Sequence, residues 1–139
     1  IKDVTVMTYS IKQAAEKFQL TAYTIRYYDR EVLLPFIQRS DTGIRQFTEQ
    51  DLDLIGLICC LKNTGMQIKD IKEFIQYYIQ GDDTFEQRRT LLLKHRKDVE
   101  RKIEDLHKNL NKIDHKISYY DSEHEKITCG KYVQLADKG

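Results

Sequence analysis

A sevenfold repeat in the last third of the chain constrains it more than any other feature. Leu92, Val99, Leu106, Ile113, Tyr120 and Ile127 follow at intervals of seven, and Arg96, Ile103, Leu110, Ile117 and His124 form a second such series between them. Alternating steps of three and four, with lysine and glutamate between, bring both series to one stripe of an α-helix, the pattern of a coiled coil. A helix of about 40 residues rises roughly 60 Å. No other segment is long enough to cover its stripe, so a partner is required, and a second copy of the chain meets that requirement. We expect a dimerisation helix over residues 84–127, with Val99, Ile103, Leu106, Leu110, Ile113, Ile117 and Tyr120 at the interface and a short tail over 128–139. The seam alone leaves parallel and antiparallel pairing open.

The front of the chain is organised around residues 20–35, L-T-A-Y-T-I-R-Y-Y-D-R-E-V-L-L-P. Thr21 is a good N-cap, and Ala22, Ile25, Tyr28 and Val32 share one face of the helix it opens. The other face carries Tyr23, Arg26, Tyr27 and Arg30. Arginine forks onto phosphate or guanine, and tyrosine offers a hydroxyl and a flat apolar ring. A solvated amphipathic helix shows such a face too, so the neighbours decide. Upstream, Ser10 can cap a short helix through Ile11, Ala14, Ala15 and Phe18, and Gln19-Leu20 makes a tight connection. Two short helices joined in this way form a helix-turn-helix, whose second helix enters the major groove. Downstream, residues 36–47 read F-I-Q-R-S-D-T-G-I-R-Q-F. Turn chemistry at Ser40-Asp41-Thr42-Gly43 between β-prone runs predicts a hairpin wing. Arg39 and Arg45 flank that turn, placed for a second backbone contact. The residues expected on DNA are therefore Thr21, Tyr23, Arg26, Tyr27, Arg30, Arg39 and Arg45.

Two further helices complete a head over residues 9–81. Thr48-Glu49-Gln50-Asp51 approaches a capping box and opens a third helix that stops at Gly65. Its Leu52, Ile55, Ile58 and Cys59 share the core face, widened by Leu54, Leu57 and Leu61. Asp53, Gly56, Cys60 and Asn63 form a narrow polar strip, so a step of about 100° sends the adjacent cysteines to different environments. A fourth helix carries Ile68, Ile71, Ile75 and Tyr78 and ends at Gly81. Thr84-Phe85-Glu86-Gln87 predicts a second capping box at the start of the long helix.

Tyr9-Ser10-Ile11, Thr24-Ile25-Arg26-Tyr27-Tyr28-Asp29, Leu33-Leu34-Pro35, Ser40-Asp41-Thr42-Gly43-Ile44-Arg45 with Phe47, and Asp51-Leu52 resemble the MerR family of bacterial transcription regulators. The resemblance continues through Lys62-Asn63-Thr64-Gly65-Met66 to Ile71, in the family's order and spacing. Cys60-Leu61-Lys62-Asn63-Thr64-Gly65-Met66 and Gly81-Asp82-Asp83-Thr84 resemble its AdhR/NmlR branch. The resemblance implies a mainly α-helical fold, a winged helix-turn-helix with a long coiled-coil helix. It also implies an antiparallel homodimer on a pseudo-palindromic site, and distortion of a promoter with an overlong spacer so that RNA polymerase can engage. It further implies one functional cysteine, at Cys60, that answers reactive aldehydes and related electrophilic or oxidative stress. Similar proteins carry glycine where this chain has Gln19 and Val32. If Val32 must be left-handed, a β-branched residue there costs roughly 1–2 kcal/mol.

Bulk properties fit such a regulator. The formal net charge is +1, which argues against a protein that coats nucleic acid indiscriminately. Residues 21–48 contain no lysine, and their cations are Arg26, Arg30, Arg39 and Arg45. No apolar run has the length of a membrane span. The amino end does not resemble a secretory signal, and Met7 reads as an initiator candidate behind Ile1–Val6. Three cysteines, without a disulfide framework, fit a reducing cytoplasm. With only a dozen residues after the seam, we expect no separate effector domain.

The chain has no Gly-rich phosphate loop, no G-x-S-x-G and no paired metal-binding histidines, so neither an enzyme nor a cofactor is expected. His95, His107, His115 and His124 occupy different faces of the long helix and read as solvated. For a reactive thiol, access and partial ionisation are needed, and the polar strip gives Cys60 access. The C-terminal helix dipole and Asp53 work against a thiolate there. Two alternatives stay open: a metal-responsive regulator using Cys129 with His124, and a coiled-coil adaptor whose arginine–tyrosine face grips a protein.

Overall fold

The computed structural model describes residues 7–128, which divide between His95 and Arg96 into two compact units. The first unit holds α1 (Ile11–Phe18), α2 (Ala22–Arg30), β1 (Gln38–Arg39), β2 (Arg45–Gln46), α3 (Glu49–Asn63), α4 (Ile68–Gln80) and the start of α5 (Phe85–Thr128). Each of the first three helices begins on a hydroxyl. Ser10 Oγ accepts the Gln13 N–H while the Gln13 side chain accepts the Ser10 N–H, a full capping box. Thr21 Oγ1 accepts from Thr24 N. Thr48 and Asp51 exchange bonds of 3.2 and 2.9 Å, so the carboxylate expected at the start of α3 is buried with its partners in place.

The same three helices also end alike. Leu20 N–H donates to Ala15 O, Leu33 N–H to Tyr28 O and Met66 N–H to Leu61 O, each across a left-handed residue. This six-to-one bond satisfies an orphan carbonyl and turns an apolar side chain back onto the core. At α3 the left-handed residue is Gly65, but at α1 and α2 it is Gln19 (φ 55°) and Val32 (φ 60°). The conditional expectation for Val32 is met: a β-branched residue occupies the conformation that costs it most. Its side chain is 56 % exposed, so it does not continue the buried face of α2 as its spacing had suggested.

The core gathers Ala14 and Ala15 from α1, Ile25 and Tyr28 from α2, and Leu33, Leu34 and Phe47 from the connections. Leu52, Leu54, Ile55, Ile58 and Leu61 of α3 and Ile71, Phe74 and Ile75 of α4 complete it. Gly56 does not belong to an open polar strip. A Cβ there would stand 3.1 Å from Phe18 Cε1, so the glycine lets α1 lie close against α3. The wing is antiparallel, with Gln38 opposite Gln46 and Arg39 opposite Arg45. A bridge between Tyr9 and Phe47 ties its end to the start of α1.

Thr84 closes a 3-10 turn, and its hydroxyl turns back to Tyr77 O and Gly81 O rather than capping α5. Arg88 replaces the expected second capping box. Its Nε donates to Thr84 Oγ1, its Nη2 to Gly81 O, and its guanidinium covers the rings of Phe85 and Tyr78. Leu91 and Leu92 pack on the core, so the first turns of α5 belong to the head.

The second unit carries the remainder of α5. Ile103, Leu106, Leu110, Ile113, Ile117 and Tyr120 are between 50 % and 67 % exposed, a continuous apolar stripe on one chain. Exposed pairs such as Glu104–Lys108 and Arg96–Glu100 support the helix along its polar faces. No helix among the described residues is long and apolar enough to cross a membrane.

Candidate nucleic-acid interface and thiol site

The outward face of α2 presents Thr21, Tyr23, Arg26 and Arg30, all exposed. Arg30 lies over the Tyr23 ring, 5.5 Å from its centroid, which props the tyrosine away from the core. Thr21 pairs its hydroxyl with Thr24 at 3.0 Å while capping the helix. Tyr27 departs from the expected face. It is half-buried against the core and tilted on Tyr28, with the Lys62 ammonium over both rings. At about 100° per residue, Tyr27 sits on the boundary between faces, and the ammonium from α3 holds it inward.

Arg39 and Arg45 do not stand apart as two separate contacts. Asp29, in the last turn of α2, accepts from Arg45 Nε at 2.8 Å and from Arg39 Nη2 at 3.3 Å through the same oxygen, Oδ2. Arg39 Nη1 also reaches Gly43 O in the turn. One carboxylate therefore joins the wing to α2. Asp29 is not among the residues expected on DNA, because its wing partners lie ten and sixteen positions away. The one available signal was an acid amid four arginines. At the other end of the helix junction, Glu31 bonds Lys72 of α4 at 2.7 Å.

The two cysteines of α3 part as their 100° step requires: Cys60 is exposed and Cys59 is half-buried. Burial pushes the Cys59 thiol up, opposed by the Tyr28 hydroxyl and the Lys62 ammonium. The Tyr28 hydroxyl is pushed up to about 12, first by burial and then by the Cys59 thiol. Cys59 thus touches the recognition helix from behind. The Cys60 carbonyl accepts from the Thr64 side chain at 2.7 Å, and Thr64 Oγ1 lies 2.7 Å from His95 Nε2 on α5. The Thr64 hydroxyl thus stands between the carbonyls that end α3 and the His95 imidazole on α5. His95 is thereby a bonded residue and not one of the solvated histidines it was read as; no local pattern links positions 31 apart. Cys129 lies outside the described residues. His124 is exposed, and no metal-sized cluster of ligands occurs among the described residues.

Two family descriptions match the chain: MerR HTH family regulatory protein over residues 9–78, and MerR, DNA binding over residues 52–116. An uncharacterized HTH-type transcriptional regulator of Haemophilus influenzae is 46% identical over 114 residues, covering 82% of this chain and 84% of that one. The HTH-type transcriptional regulator AdhR of Bacillus subtilis is 41% identical over 83 residues, 60% of this chain and 59% of AdhR. Among solved structures, HiNmlR, described as a MerR family regulator lacking the sensor domain and bound to promoter DNA, is 45% identical. That structure covers 84% of this chain and 92% of HiNmlR, with a TM-score of 0.77.

Proposed function

The chain belongs to the MerR family of DNA-binding transcription regulators, in its AdhR/NmlR-like branch, and from that premise we propose a dimer that switches promoter geometry through a cysteine. Tyr23, Arg26 and Arg30 meet the major groove and its phosphates, with Thr21 at the helix start, while Arg39 and Arg45 grip the backbone beside it. Tyr27 supports this face from within. Two copies pair through the α5 seam, which supplies the two heads that a pseudo-palindromic promoter requires. Deforming the DNA costs several kcal/mol, so the regulator acts by favouring one dimer conformation over another. RNA polymerase then engages the reshaped promoter.

The input is a reactive aldehyde, another electrophile or an oxidant, received by the Cys60 thiol. One observation carries this reading: exposed Cys60 ends on a carbonyl held by Thr64, which bonds His95 at the base of the long helix. An adduct on Cys60 alters the last turn of α3 where that turn is bonded to α5. A coupling of about 1–3 kcal/mol there changes activity by about 5- to 150-fold. Mass spectrometry after treatment with a small aldehyde or a mild oxidant tests it. Modification should fall on Cys60 first, with half-buried Cys59 spared. Preferential modification of Cys59 would overturn the reading.

A further inference from the structure

The Asp29 carboxylate sits where a free acid would be unfavourable. It lies in the last turn of α2, where the helix dipole disfavours a negative charge, on an element that approaches phosphates. It nevertheless takes both wing arginines on one oxygen, at 2.8 and 3.3 Å. Arg39 and Arg45 face each other across the two strands, and like charges placed there repel. A shared carboxylate cancels that repulsion and sets the hairpin at a fixed distance from the recognition helix. Arg45 is held by Nε alone, which leaves Nη1 and Nη2 with no hydrogen-bond partner among the described residues.

We propose that Asp29 is a positioning residue that sets DNA specificity. It holds Arg39 and Arg45 as one oriented pair, registered to α2, so that the wing grips phosphate only where the recognition helix is already seated. The proposal rests on the reading above that the wing arginines meet the backbone. Two consequences follow from the charge arrangement. Pre-orienting a donor lowers the ordering cost of the correct complex. Neutralising one of two wing charges weakens the sequence-blind attraction that every duplex exerts on free arginine. Asp29 therefore strengthens operator binding and weakens random binding at once, which no purely structural residue does.

The test uses the full chain with Asp29→Asn. Affinity is measured on an operator fragment, found by footprinting the chain's own upstream DNA, and on random duplex of equal length. Operator affinity should fall about tenfold while random affinity holds or rises, and the salt slope on random DNA should steepen. An equal fall on both duplexes overturns the proposal, because lost stability acts on both alike. Asp29→Glu, which retains the charge, should keep most of the operator preference; a loss as large as that of Asp29→Asn overturns it too. In an Arg39→Gln, Arg45→Gln background, Asp29→Asn should shift the preference by less than about twofold. A full effect there shows that Asp29 does not act through the arginines. If the paired arginine substitutions alone leave operator affinity unchanged, the backbone contacts themselves are refuted, and the role of Asp29 falls with them.

Discussion

Leu110→Asp probes the exposed apolar stripe of α5, the surface through which we propose that two copies of the chain pair. Leu110 is 50 % exposed, and Ile103, Leu106, Ile113, Ile117 and Tyr120 are exposed to similar or greater degree. Fully burying a leucine or isoleucine is worth about 1.5–3 kcal/mol, so covering what remains open gives about 1–1.5 kcal/mol at each position. Six positions on two chains contribute about 12–18 kcal/mol gross, which can offset an association cost of roughly 4–15 kcal/mol. In a symmetric pair, Leu110→Asp removes its share twice. It also buries two unpaired carboxylates at several kcal/mol each. A net loss of at least about 6 kcal/mol weakens association by about 10⁴-fold. Sedimentation velocity at micromolar concentration should show the parent as a dimer and the variant as a monomer. Asn111→Asp, one step round the helix and off the seam, should sediment as the parent does. A well-folded monomer in the parent, or a dimer of unchanged affinity in Leu110→Asp, would refute the reasoning.

Three further outcomes follow from particular contacts. Val32→Gly relieves about 1–2 kcal/mol of left-handed strain against about 0.5–1 kcal/mol of glycine entropy, and should raise the melting temperature by a few degrees; a fall would refute the strain assigned to Val32. With roughly six to eight phosphate contacts per dimer, operator affinity should drop about 10³–10⁵-fold between about 50 and 200 mM salt. Arg26→Ala should then weaken all sequences alike and Tyr23→Ala should relax base preference, whereas a salt-insensitive affinity would end the phosphate reading. For Tyr28, the folded pKa of about 12 stands above its ordinary 10, so its neutral form contributes stability fully below pH 10 and loses it as pH rises towards 12. Urea midpoints across that window should decline less steeply in Tyr28→Phe than in the parent, and an equal decline would contradict the assignment.

Much of this architecture is legible because its signals are local. Ser10, Thr21 and Thr48 announce helix starts through hydroxyls that bond three residues on, and all three do so. The turn at Ser40-Asp41-Thr42-Gly43 closes as its residues demand, with Ser40 N–H on Ile44 O and Gly43 at φ 84°. The apolar stripe of α5 shows in spacing alone. What spacing could not convey is which distant group claims a side chain. Tyr27 reads as outward until Lys62 covers it; Thr84 reads as a cap until two carbonyls behind it take its proton. Gly56 reads as polar surface until Phe18 lies upon it. Arg39 and Arg45 read as free cations, although one carboxylate on the recognition helix holds both. The bonds that organise the candidate site were thus not legible, since they cross between elements with no pattern in sequence.

The central claim is that a thiol on α3 controls transcription without itself reading DNA. Run-off transcription from the operator promoter, with and without a small aldehyde, tests this most directly when the parent is compared with Cys60→Ser. Cys60→Ser should protect the operator like the parent, because Tyr23, Arg26 and the wing are untouched, yet fail to respond to the aldehyde. Cys59→Ser should still respond, with some loss of stability from a hydroxyl in a half-buried apolar site. If Cys60→Ser is induced as fully as the parent, the thiol account is contradicted and a metal or non-covalent ligand must supply the signal.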